Sequence, residues 1–344
     1  MHEVIIVGAG PVGLYAAHLL EKKLDVLVLE KKKAIGLPVQ CSGLYSANLK
    51  DFIPIKKEFL EHTVTGAILH SPSLELKLEK PSSATFVVNR EKLDRHLASQ
   101  VKSDVVLDED VKKIEIKKDR VIVTTAKRTV EAEVLIGCDG PASVVRNHFK
   151  KQPHEIINGL LATVPERNES QCVELWFHAE KVPGGFFWKI PRGKATEYGM
   201  FAKSAHFSQL EEFFNLEEGY QKSAGVIPFG PPKTYFERCL LIGDAAAQVK
   251  PWSGGGVVYG LTCARIAADV LFRAFETKDF SERFLRQYET QWKSVLGRNI
   301  TLGMVFRDFL AHATNKDLDR FFSALKEADM NRLDMDFPEW GFEL

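Results

Sequence analysis

The first thirty residues constrain the fold of this chain more than any other segment. An apolar run at residues 4–7 is followed by a G-x-G-x-x-G arrangement and a helical pattern at residues 12–22. A second predicted strand at residues 25–29, apolar after Asp25, then leads into Glu30. Strand, glycine turn, helix, strand and terminal acid, in this order, predict a βαβ unit that binds a dinucleotide.

Each glycine of the turn has its own expected task. Gly8 permits the tight turn, Gly10 lets a pyrophosphate approach the backbone, and Gly13 lets the helix pack closely on the strand. The phosphates are expected at the helix N-terminus, where free N–H groups and the helix dipole favour negative charge. Glu30 is placed to accept hydrogen bonds from both ribose hydroxyls of an adenosine and to repel a 2′-phosphate, which argues against NADP.

Length and charge exclude several classes of protein. The chain has 344 residues, 45% of them hydrophobic and 27% charged, which suits an enzyme of two domains or one elaborated domain. Its formal net charge is zero, so no overall field attracts nucleic acid or acidic lipid. Since the sequence shows neither a signal pattern nor an apolar run of membrane-spanning length, we expect a cytoplasmic protein.

Five cysteines are spread widely along the chain without a C-x-x-C pair. This odd, dispersed set predicts neither a disulfide framework nor a metal site. Cys138, Cys172, Cys239 and Cys263 lie in apolar runs and are interpreted as small buried hydrophobes. Cys41 differs, because it lies in a loop bounded by proline and glycine.

Two further acids follow apolar strands. Asp139 comes after Ile136, Gly137 and Cys138, and Asp244 comes after a similar run that ends in glycine. Ligands of α/β sheets collect at the carboxyl ends of strands, so these acids predict one extended cofactor. The Pro/Gly-rich turn at residues 251–256 opens a helix whose N–H groups could stabilise negative charge on an electron-accepting ring.

These motifs resemble those of a known group of flavoproteins. The glycine motif with Glu30, Arg90 in a V-x-R-x-x-x-D setting, Asp139 in Cys-Asp-Gly, and Asp244 after Gly243 are similar to the FAD-binding pattern of glutathione-reductase-type flavoproteins. Within that group the pattern resembles the branch that contains p-hydroxybenzoate hydroxylase. The resemblance runs from residue 2 to about residue 275.

Two further segments resemble geranylgeranyl reductases. Pro38-Val-Gln-Cys41-Ser-Gly43 is similar to their P-x-x-C-x-G loop. The run from Phe186 to Pro191, followed by Gly199, is similar to their aromatic-x-Trp-x-Phe-Pro box. The resemblance implies an FAD-dependent reductase that hydrogenates isolated double bonds of geranylgeranyl-type isoprenoid chains in lipid metabolism.

The resemblance also assigns roles by position. Cys41 is expected to protonate the substrate double bond, and Phe186, Trp188 and Pro191 to line the substrate site. The first glycines and Glu30 are expected to hold the ADP half of FAD, with the ring near the second glycine turn. The expected cofactor residues are Gly8, Gly10, Gly13, Glu30, Cys41, Ser42, Arg90, Val111, Asp139, Gly140, Asp244, Gly254, Gly255, Gly256 and Val257.

The fold class implied is α/β: a Rossmann-like FAD-binding domain with an inserted antiparallel-sheet substrate domain and a helical C-terminal tail. The FAD-binding domain is expected to be discontinuous, at residues 1–62, 84–150 and 235–275. The substrate-binding sheet is expected at residues 63–83 and 151–234, and the C-terminal helices at residues 276–344.

Alternatives stay open at this point. The aromatic box is also similar to the G-W-x-W-x-I-P box of flavin-dependent halogenases, so a halogenase or monooxygenase remains an alternative, as does a flavoprotein electron-transfer module. Because the sequence lacks a second nucleotide-type glycine motif, NAD(P)H or a ferredoxin-like protein is expected as a transient electron donor. The apolar periodicity after Phe280 indicates helices packed on the body, with peripheral membrane contact kept as the alternative.

Overall fold

The computed structural model describes residues 1–79, 84–326 and 334–337. Its chain divides into two compact units. The first comprises Met1–Pro38, Glu91–Glu155 and Pro228–Ile300, and the second comprises Val39–Arg90, Ile156–Ile227 and Thr301–Leu344.

Helices and strands alternate in the first third of the chain, and helices dominate the last. The helices are α1 (Pro11–Leu20), α2 (Arg90–Gln100), α3 (Val144–His148), α4 (Phe207–Phe214), α5 (Val257–Thr277), α6 (Glu282–Trp292), α7 (Arg298–His312) and α8 (Asn315–Lys326). The strands are β1 (His2–Val7), β2 (Val26–Leu29), β3 (Leu44–Tyr45), β4 (Leu60–Val64), β5 (Gly66–His70), β6 (Glu75–Glu79), β7 (Thr85–Val88), β8 (Asp104–Val106), β9 (Val111–Ile116), β10 (Val121–Thr125), β11 (Thr129–Gly137), β12 (Glu155–Val164), β13 (Cys172–Trp176), β14 (Phe186–Pro191), β15 (Thr196–Ala202), β16 (Gln221–Phe229), β17 (Tyr235–Phe236) and β18 (Cys239–Leu241).

The first unit is built on one sheet with the order β17-β18-β11-β1-β2-β8. The strands from β18 to β8 are mutually parallel, while β17 and the β9–β10 hairpin add antiparallel pairs at the sides. Because both faces of such a sheet are covered, its strands read as continuous apolar runs. In β1, residues 4–6 are completely buried. This is the Rossmann-like arrangement that the opening motif predicted.

Helices α1 and α5 pack closely beside each other in this unit. A Cβ atom at Gly260 of α5 would lie 2.4 Å from Cγ2 of Val12 in α1, so the contact depends on the absence of a side chain. The interior of the unit is a cluster of aliphatic residues drawn from most of the strands of the sheet. This core holds the strand ends in place.

The second unit contains a seven-stranded sheet with the order β16-β12-β15-β14-β13-β5-β6 and a smaller sheet with the order β3-β7-β4. Most described pairs of the larger sheet are antiparallel, as predicted, but β5 and β13 pair in parallel. Residues 66–70 and 172–176 come from distant parts of the sequence, so no hairpin connection imposes an antiparallel pair there. Helix α4 covers one face of the sheet through Leu210, Phe213 and Phe214.

The C-terminal helices bury part of their apolar surface in the second unit. Leu302, Leu310, Leu318 and Phe322 are buried, whereas Val305 is 56% exposed. The Phe322 ring lies 5.4 Å from that of Phe177. Among the described residues, we find no helix with the length and apolar character needed to span a bilayer.

The two compact units differ from the predicted domain boundaries at five ranges, which are residues 39–62, 84–90, 151–155, 228–234 and 276–300; of these, residues 84–90 lie in the second unit, and residues 151–155 and 228–234 lie in the first. Residues 39–62 lie in the second unit, and residues 276–300 lie in the first. The functional division into an FAD-binding domain, a substrate domain and a helical tail stays a prediction.

Candidate active site

The ends of four parallel strands meet along one edge of the first unit. Register pairs join Val7 of β1 to Gly137 of β11 and to Leu29 of β2, and Gly137 in turn to Leu241 of β18. The residues that follow these strands include the first glycine motif, Glu30, the Cys-Asp-Gly turn and Asp244. Pairing therefore brings most of the predicted cofactor residues of this unit to one edge, where α/β folds bind nucleotides.

The three glycines of the first turn have different surroundings. Gly8 has a φ of +104°, and a Cβ atom there would lie 2.4 Å from the Cys138 carbonyl oxygen. A Cβ atom at Gly13 would lie 2.0 Å from the Gly8 carbonyl oxygen, so that position must remain open for helix and strand to pack. At Gly10 nothing lies within 4 Å. The turn thus has the closely packed glycines and the open approach that a pyrophosphate requires.

Helix α1 begins at this open position. Gly10 is its N-cap, Pro11 opens its first turn, and the Gly10 carbonyl oxygen accepts from the Leu14 N–H at 2.9 Å. The cap has no side-chain hydrogen bond, because glycine has no side chain to supply one. A helix start of this kind is suited to bind an anionic group through its backbone and its dipole.

Glu30 is buried at the end of β2. Its carboxylate accepts from the Ala9 N–H at 2.7 Å and from the Lys32 N–H at 2.8 Å. These bonds hold the carboxylate beside the glycine turn. The Glu109 N–H donates to the Glu30 carbonyl oxygen at 2.9 Å. This bond places the start of β9, and with it the predicted cofactor residue Val111, near the same strand end.

We expect Glu30→Gln to weaken FAD binding about tenfold. The carboxylate would lose its charge, and charge-assisted hydrogen bonds contribute more than neutral ones, about 1.5–3 kcal/mol each. Fluorescence titration of the apoprotein with FAD measures the affinity. Glu3→Gln is the matched control, because Glu3 accepts the Asp25 N–H at the opposite end of the same two strands. Equal affinities of the two variants would contradict the assignment of Glu30.

The Asp139 side chain accepts hydrogen bonds from the turn that follows it. Its carboxylate accepts from the Ser143 hydroxyl at 2.5 Å and from the backbone N–H groups of Val144 and Val145 at 2.7 and 3.2 Å. Burial raises the pKa of Asp139, and these hydrogen bonds oppose the rise. Asp139 therefore shapes the turn that presents Gly140, where a Cβ atom would have nothing within 4 Å.

Arg146, which sequence reasoning missed, links this turn to the next strand end. The guanidinium donates to the carbonyl oxygens of Pro141, Asp244 and Ala245 at 2.5, 3.4 and 3.1 Å. Only 2% of the residue is exposed, and burial lowers its pKa. The available signal was an arginine three residues after the capping Ser143, behind two valines.

Asp244 lies against the second glycine turn. A Cβ atom at Gly256 would lie 2.5 Å from Oδ1 of Asp244, and one at Gly255 would lie 2.5 Å from Cε of Lys250. The Lys250 N–H donates to the Gly255 carbonyl oxygen at 3.1 Å. Helix α5 begins at Val257, directly after this turn. Glycines at these positions keep the turn close to Asp244, as a cofactor-binding segment needs.

The predicted catalytic loop lies in the second unit. Sγ of Cys41 accepts from the Gly43 N–H at 3.4 Å and lies 3.8 Å from the Tyr45 hydroxyl oxygen. Gly43 has a φ of +69°, and a Cβ atom there would lie 2.2 Å from the Val88 carbonyl oxygen and 3.6 Å from Cγ of Arg90. The thiol is partly exposed and forms no disulfide.

The predicted substrate residues lie on β14 of the same unit. Trp188 is half-buried and packs with a cluster that contains Val87 and Leu44. Leu44 directly follows the Cys41 loop in the sequence. The Trp188 ring also covers Gly199, where a Cβ atom would lie 2.1 Å from the indole. Phe186 and Pro191 are buried among protein atoms. Trp188 is thus the residue of this predicted set that is not fully buried.

Arg192 and Glu197, which were not predicted from the sequence, connect these two segments. Arg192 donates to the Ser42 carbonyl oxygen and, at 2.9 Å, to Oε2 of Glu197. Oε1 of Glu197 accepts from the Trp188 indole N–H at 3.1 Å. Burial raises the pKa of Glu197, while Arg192 and Trp188 oppose the rise. An acid within the apolar strand Thr196–Ala202 was the only signal in the sequence.

Residues 1–204 match the family described as the FAD binding domain. The matched residues make up more than half of the chain. The chain belongs to this family. FAD is therefore the cofactor of this FAD-binding protein, as the sequence predicted. The open position at Gly10, the buried Glu30 carboxylate and the glycine turn on Asp244 fit the phosphate, ribose and ring portions of such a molecule.

Curated relatives of this FAD-binding protein carry a common name. Digeranylgeranylglycerophospholipid reductase from Methanocaldococcus jannaschii is 29% identical, over 95% of this chain and 91% of that protein. Digeranylgeranylglycerophospholipid reductase 1 from Methanococcoides burtonii is 27% identical, over 97% of this chain and 90% of that protein. The resemblance to geranylgeranyl-type reductases is thus confirmed over nearly the whole length.

Solved structures share the fold. A geranylgeranyl bacteriochlorophyll reductase-like protein from Thermoplasma acidophilum superposes with a TM-score of 0.89 at 22% identity, covering 98% of this chain and 97% of that one. The flavin-dependent halogenase CmlS superposes with a TM-score of 0.72 at 15% identity, covering 96% and 71%. The predicted α/β fold class is confirmed, whereas the roles of the individual site residues stay predictions.

Proposed function

We propose that this protein is an FAD-dependent reductase that hydrogenates isolated double bonds in the isoprenoid chains of a prenyl lipid. The proposal is supported by relatives with reductase names that align over nearly the full chain. It is also supported by the P-x-x-C-x-G loop and the tryptophan box; Cys41 of the loop and Trp188 of the box both lie in the second unit.

The observation that carries the proposal is the physical connection between the Cys41 loop and Trp188. Arg192 donates to the carbonyl oxygen of Ser42, the neighbour of Cys41, and Glu197 joins Arg192 to the indole. A partly exposed thiol and an apolar surface are therefore held by one network. Reduction of an alkene needs a proton donor beside an apolar group that can hold a hydrocarbon chain.

When bound and reduced, FAD would supply the hydride that one carbon of the double bond needs. The Cys41 thiol gives its proton to the other carbon, and its sulfur keeps the bonding electron pair. Gly43 N–H, already directed at Sγ at 3.4 Å, helps to stabilise the resulting thiolate. Solvent or a neighbouring hydroxyl then supplies a new proton to sulfur.

We propose that Trp188 is the residue that contacts the isoprenoid chain, with Phe186 and Pro191 supporting it from within the sheet. Phe186 packs its ring 5.0 Å from Phe201 and 5.9 Å from Trp188. Aromatic and aliphatic surfaces suit an isoprenoid, because its binding depends on the burial of apolar area.

We expect the FAD-loaded protein, reduced with dithionite under anaerobic conditions, to add hydrogen to a lipid with geranylgeranyl chains. Mass spectrometry of the extracted lipid should show gains of two hydrogens per double bond reduced. The matched control is the same mixture with heat-inactivated protein. Unchanged lipid, together with reoxidation of the protein by a quinone, would contradict the proposal and favour electron transfer.

The same preparation tests the halogenase and monooxygenase alternatives. Reduced flavin, oxygen, bromide and an indole replace the anaerobic lipid, and a mass gain of bromine or oxygen on the indole would contradict the reductase proposal.

We further propose that NAD(P)H or a ferredoxin-like protein is the electron donor, and that the protein contacts membranes peripherally from the cytoplasm. Substitution of each donor for dithionite in the lipid assay identifies the one that supports turnover.

A further inference from the structure

We propose that Tyr288 of helix α6 is a positioning residue for the flavin half of FAD, and that it acts through Gln248 on the turn that presents Asp244. The sequence predicted α6 as part of a helical tail outside the FAD-binding domain, whereas residues 276–300 lie in the first unit. The role of Tyr288 depends on the predicted placement of the flavin half beside Asp244, but not on the proposed alkene reduction.

The Tyr288 hydroxyl joins α6 to the end of strand β18. Tyr288 is completely buried. Its hydroxyl donates to the Leu241 carbonyl oxygen at 3.0 Å and accepts from Nε2 of Gln248 at 2.9 Å. Burial raises the pKa of Tyr288 well above its usual value, so the phenol keeps the proton that it donates. The hydroxyl therefore connects the strand before the Asp244 turn with the residue that follows the turn.

Gln248 extends this connection to the backbone of the turn. The residue is completely buried, and its Oε1 accepts from the Gly243 N–H at 2.8 Å. The Gln248 N–H donates to the Gly243 carbonyl oxygen at 3.0 Å. Gly243 has a φ of +70°, a left-handed backbone that favours glycine. Gln248 thus binds both polar backbone atoms of the residue directly before Asp244.

Helix α3 holds the next two residues of the same turn. The Arg146 guanidinium donates to the carbonyl oxygens of Asp244 and Ala245. With the backbone held in this way, the Asp244 carboxylate lies against the second glycine turn, where a Cβ atom at Gly256 would lie 2.5 Å from Oδ1. A shift of the Gly243 backbone would therefore move the carboxylate relative to the segment predicted to approach the flavin ring.

The predicted contacts of the ADP half lie elsewhere in the unit. Gly10 and Glu30 belong to the first thirty residues of the chain. The hydrogen bonds described for the side chains of Tyr288 and Gln248 go to residues 241–248 and to each other. Loss of the Tyr288 hydroxyl should therefore weaken the binding of the flavin half selectively.

The test measures the affinities of the full-length apoprotein for FAD, by flavin fluorescence, and for ADP, by calorimetry. Tyr288→Phe keeps the ring in its buried site and removes the hydroxyl. We expect the Kd of FAD to rise about tenfold, because a loosened turn must be ordered when the flavin half binds, and the Kd of ADP to stay within about twofold. Equal losses for both ligands would indicate a general loss of structure and would overturn the proposal, as would an unchanged FAD affinity.

Gln248→Met shows whether Tyr288 acts through Gln248. Methionine is similar in size to glutamine, but its sulfur is a weak acceptor for the Gly243 N–H. We expect a selective loss of FAD affinity again. The Tyr288→Phe/Gln248→Met double variant should bind FAD within about twofold of Gln248→Met, because both changes break one chain of hydrogen bonds. Losses that multiply in the double variant would contradict the route through Gln248.

Tyr198→Phe is the matched control, because it removes a tyrosine hydroxyl that donates to Glu166 in the second unit. Both affinities should be unchanged in this variant. If Tyr288→Phe does not fold, Gln248→Met decides alone: a selective loss of FAD affinity supports the proposal, and an unchanged ratio of the two affinities overturns it. None of these titrations needs alkene reduction, so their outcome is separate from that of the proposed function.

Discussion

Cys41→Ala is expected to retain yellow FAD and to reduce alkenes at least about a hundredfold more slowly than the unaltered protein. A positioned proton donor contributes about 10²–10⁴-fold to a rate, and alanine cannot replace the proton. The thiol is partly exposed, so its removal leaves no large buried cavity. The rate of hydrogen gain in the lipid, measured by mass spectrometry, and the flavin absorbance spectrum give the two readouts.

Cys172→Ala is the matched control for this prediction. Cys172 lies in β13 of the same unit, where it is buried, and it has no assigned part in the reaction. We expect its FAD content and reduction rate to stay within about twofold of the unaltered protein, since an isolated truncation from cysteine to alanine has a modest cost. Full activity of Cys41→Ala would remove the thiol from the mechanism and leave water as the proton donor.

Gly10→Val is expected to abolish FAD binding while the protein stays folded. The Gly10 backbone has a φ of −75°, which valine adopts readily, and nothing lies within 4 Å of its Cβ position. A valine side chain would therefore occupy the open space through which we predict that the pyrophosphate approaches helix α1. We expect an affinity loss of at least about a hundredfold, from removal of phosphate contacts with the helix start.

Gly13→Ala, in contrast to Gly10→Val, should lower the stability of the fold. Its Cβ atom would lie 2.0 Å from the Gly8 carbonyl oxygen, so helix α1 must move away from β1. We expect a loss of about 3 kcal/mol in the free energy of unfolding, at the upper end of the cost of overpacking. Urea unfolding followed by circular dichroism measures both variants. Destabilisation of Gly10→Val as severe as that of Gly13→Ala would contradict the open approach at Gly10.

The first unit was predictable to a large extent because its information is local. Residues 2–30 contain a complete strand, turn, helix and strand, and each glycine of the turn has a geometric reason within those residues or at the neighbouring Cys138. The acids Asp139 and Asp244 also follow apolar strands that the sequence shows plainly. Strand ends in a parallel sheet converge, so their common edge could be predicted without coordinates.

The second unit was predictable only in part. The Cys41 loop and the tryptophan box were found as separate motifs, but Arg192 and Glu197 were not assigned. Arg192 follows Pro191 in a turn that has the composition of an ordinary solvated loop. Its partners Ser42 and Glu61 are more than 130 residues away in the sequence. No periodicity or spacing records such a contact.

The sequence by itself determined the nucleotide-binding unit and its cofactor, FAD. It also identified the Cys41 loop and the tryptophan box as the two segments where chemistry was expected. Tertiary structure alone decided that Arg192 holds the Cys41 loop, that Glu197 joins it to Trp188, and that β5 and β13 pair in parallel. The physical reason is the range of the interactions. Turns, strands and helix starts depend on neighbouring residues, whereas buried ion pairs depend on which distant strands the core brings together.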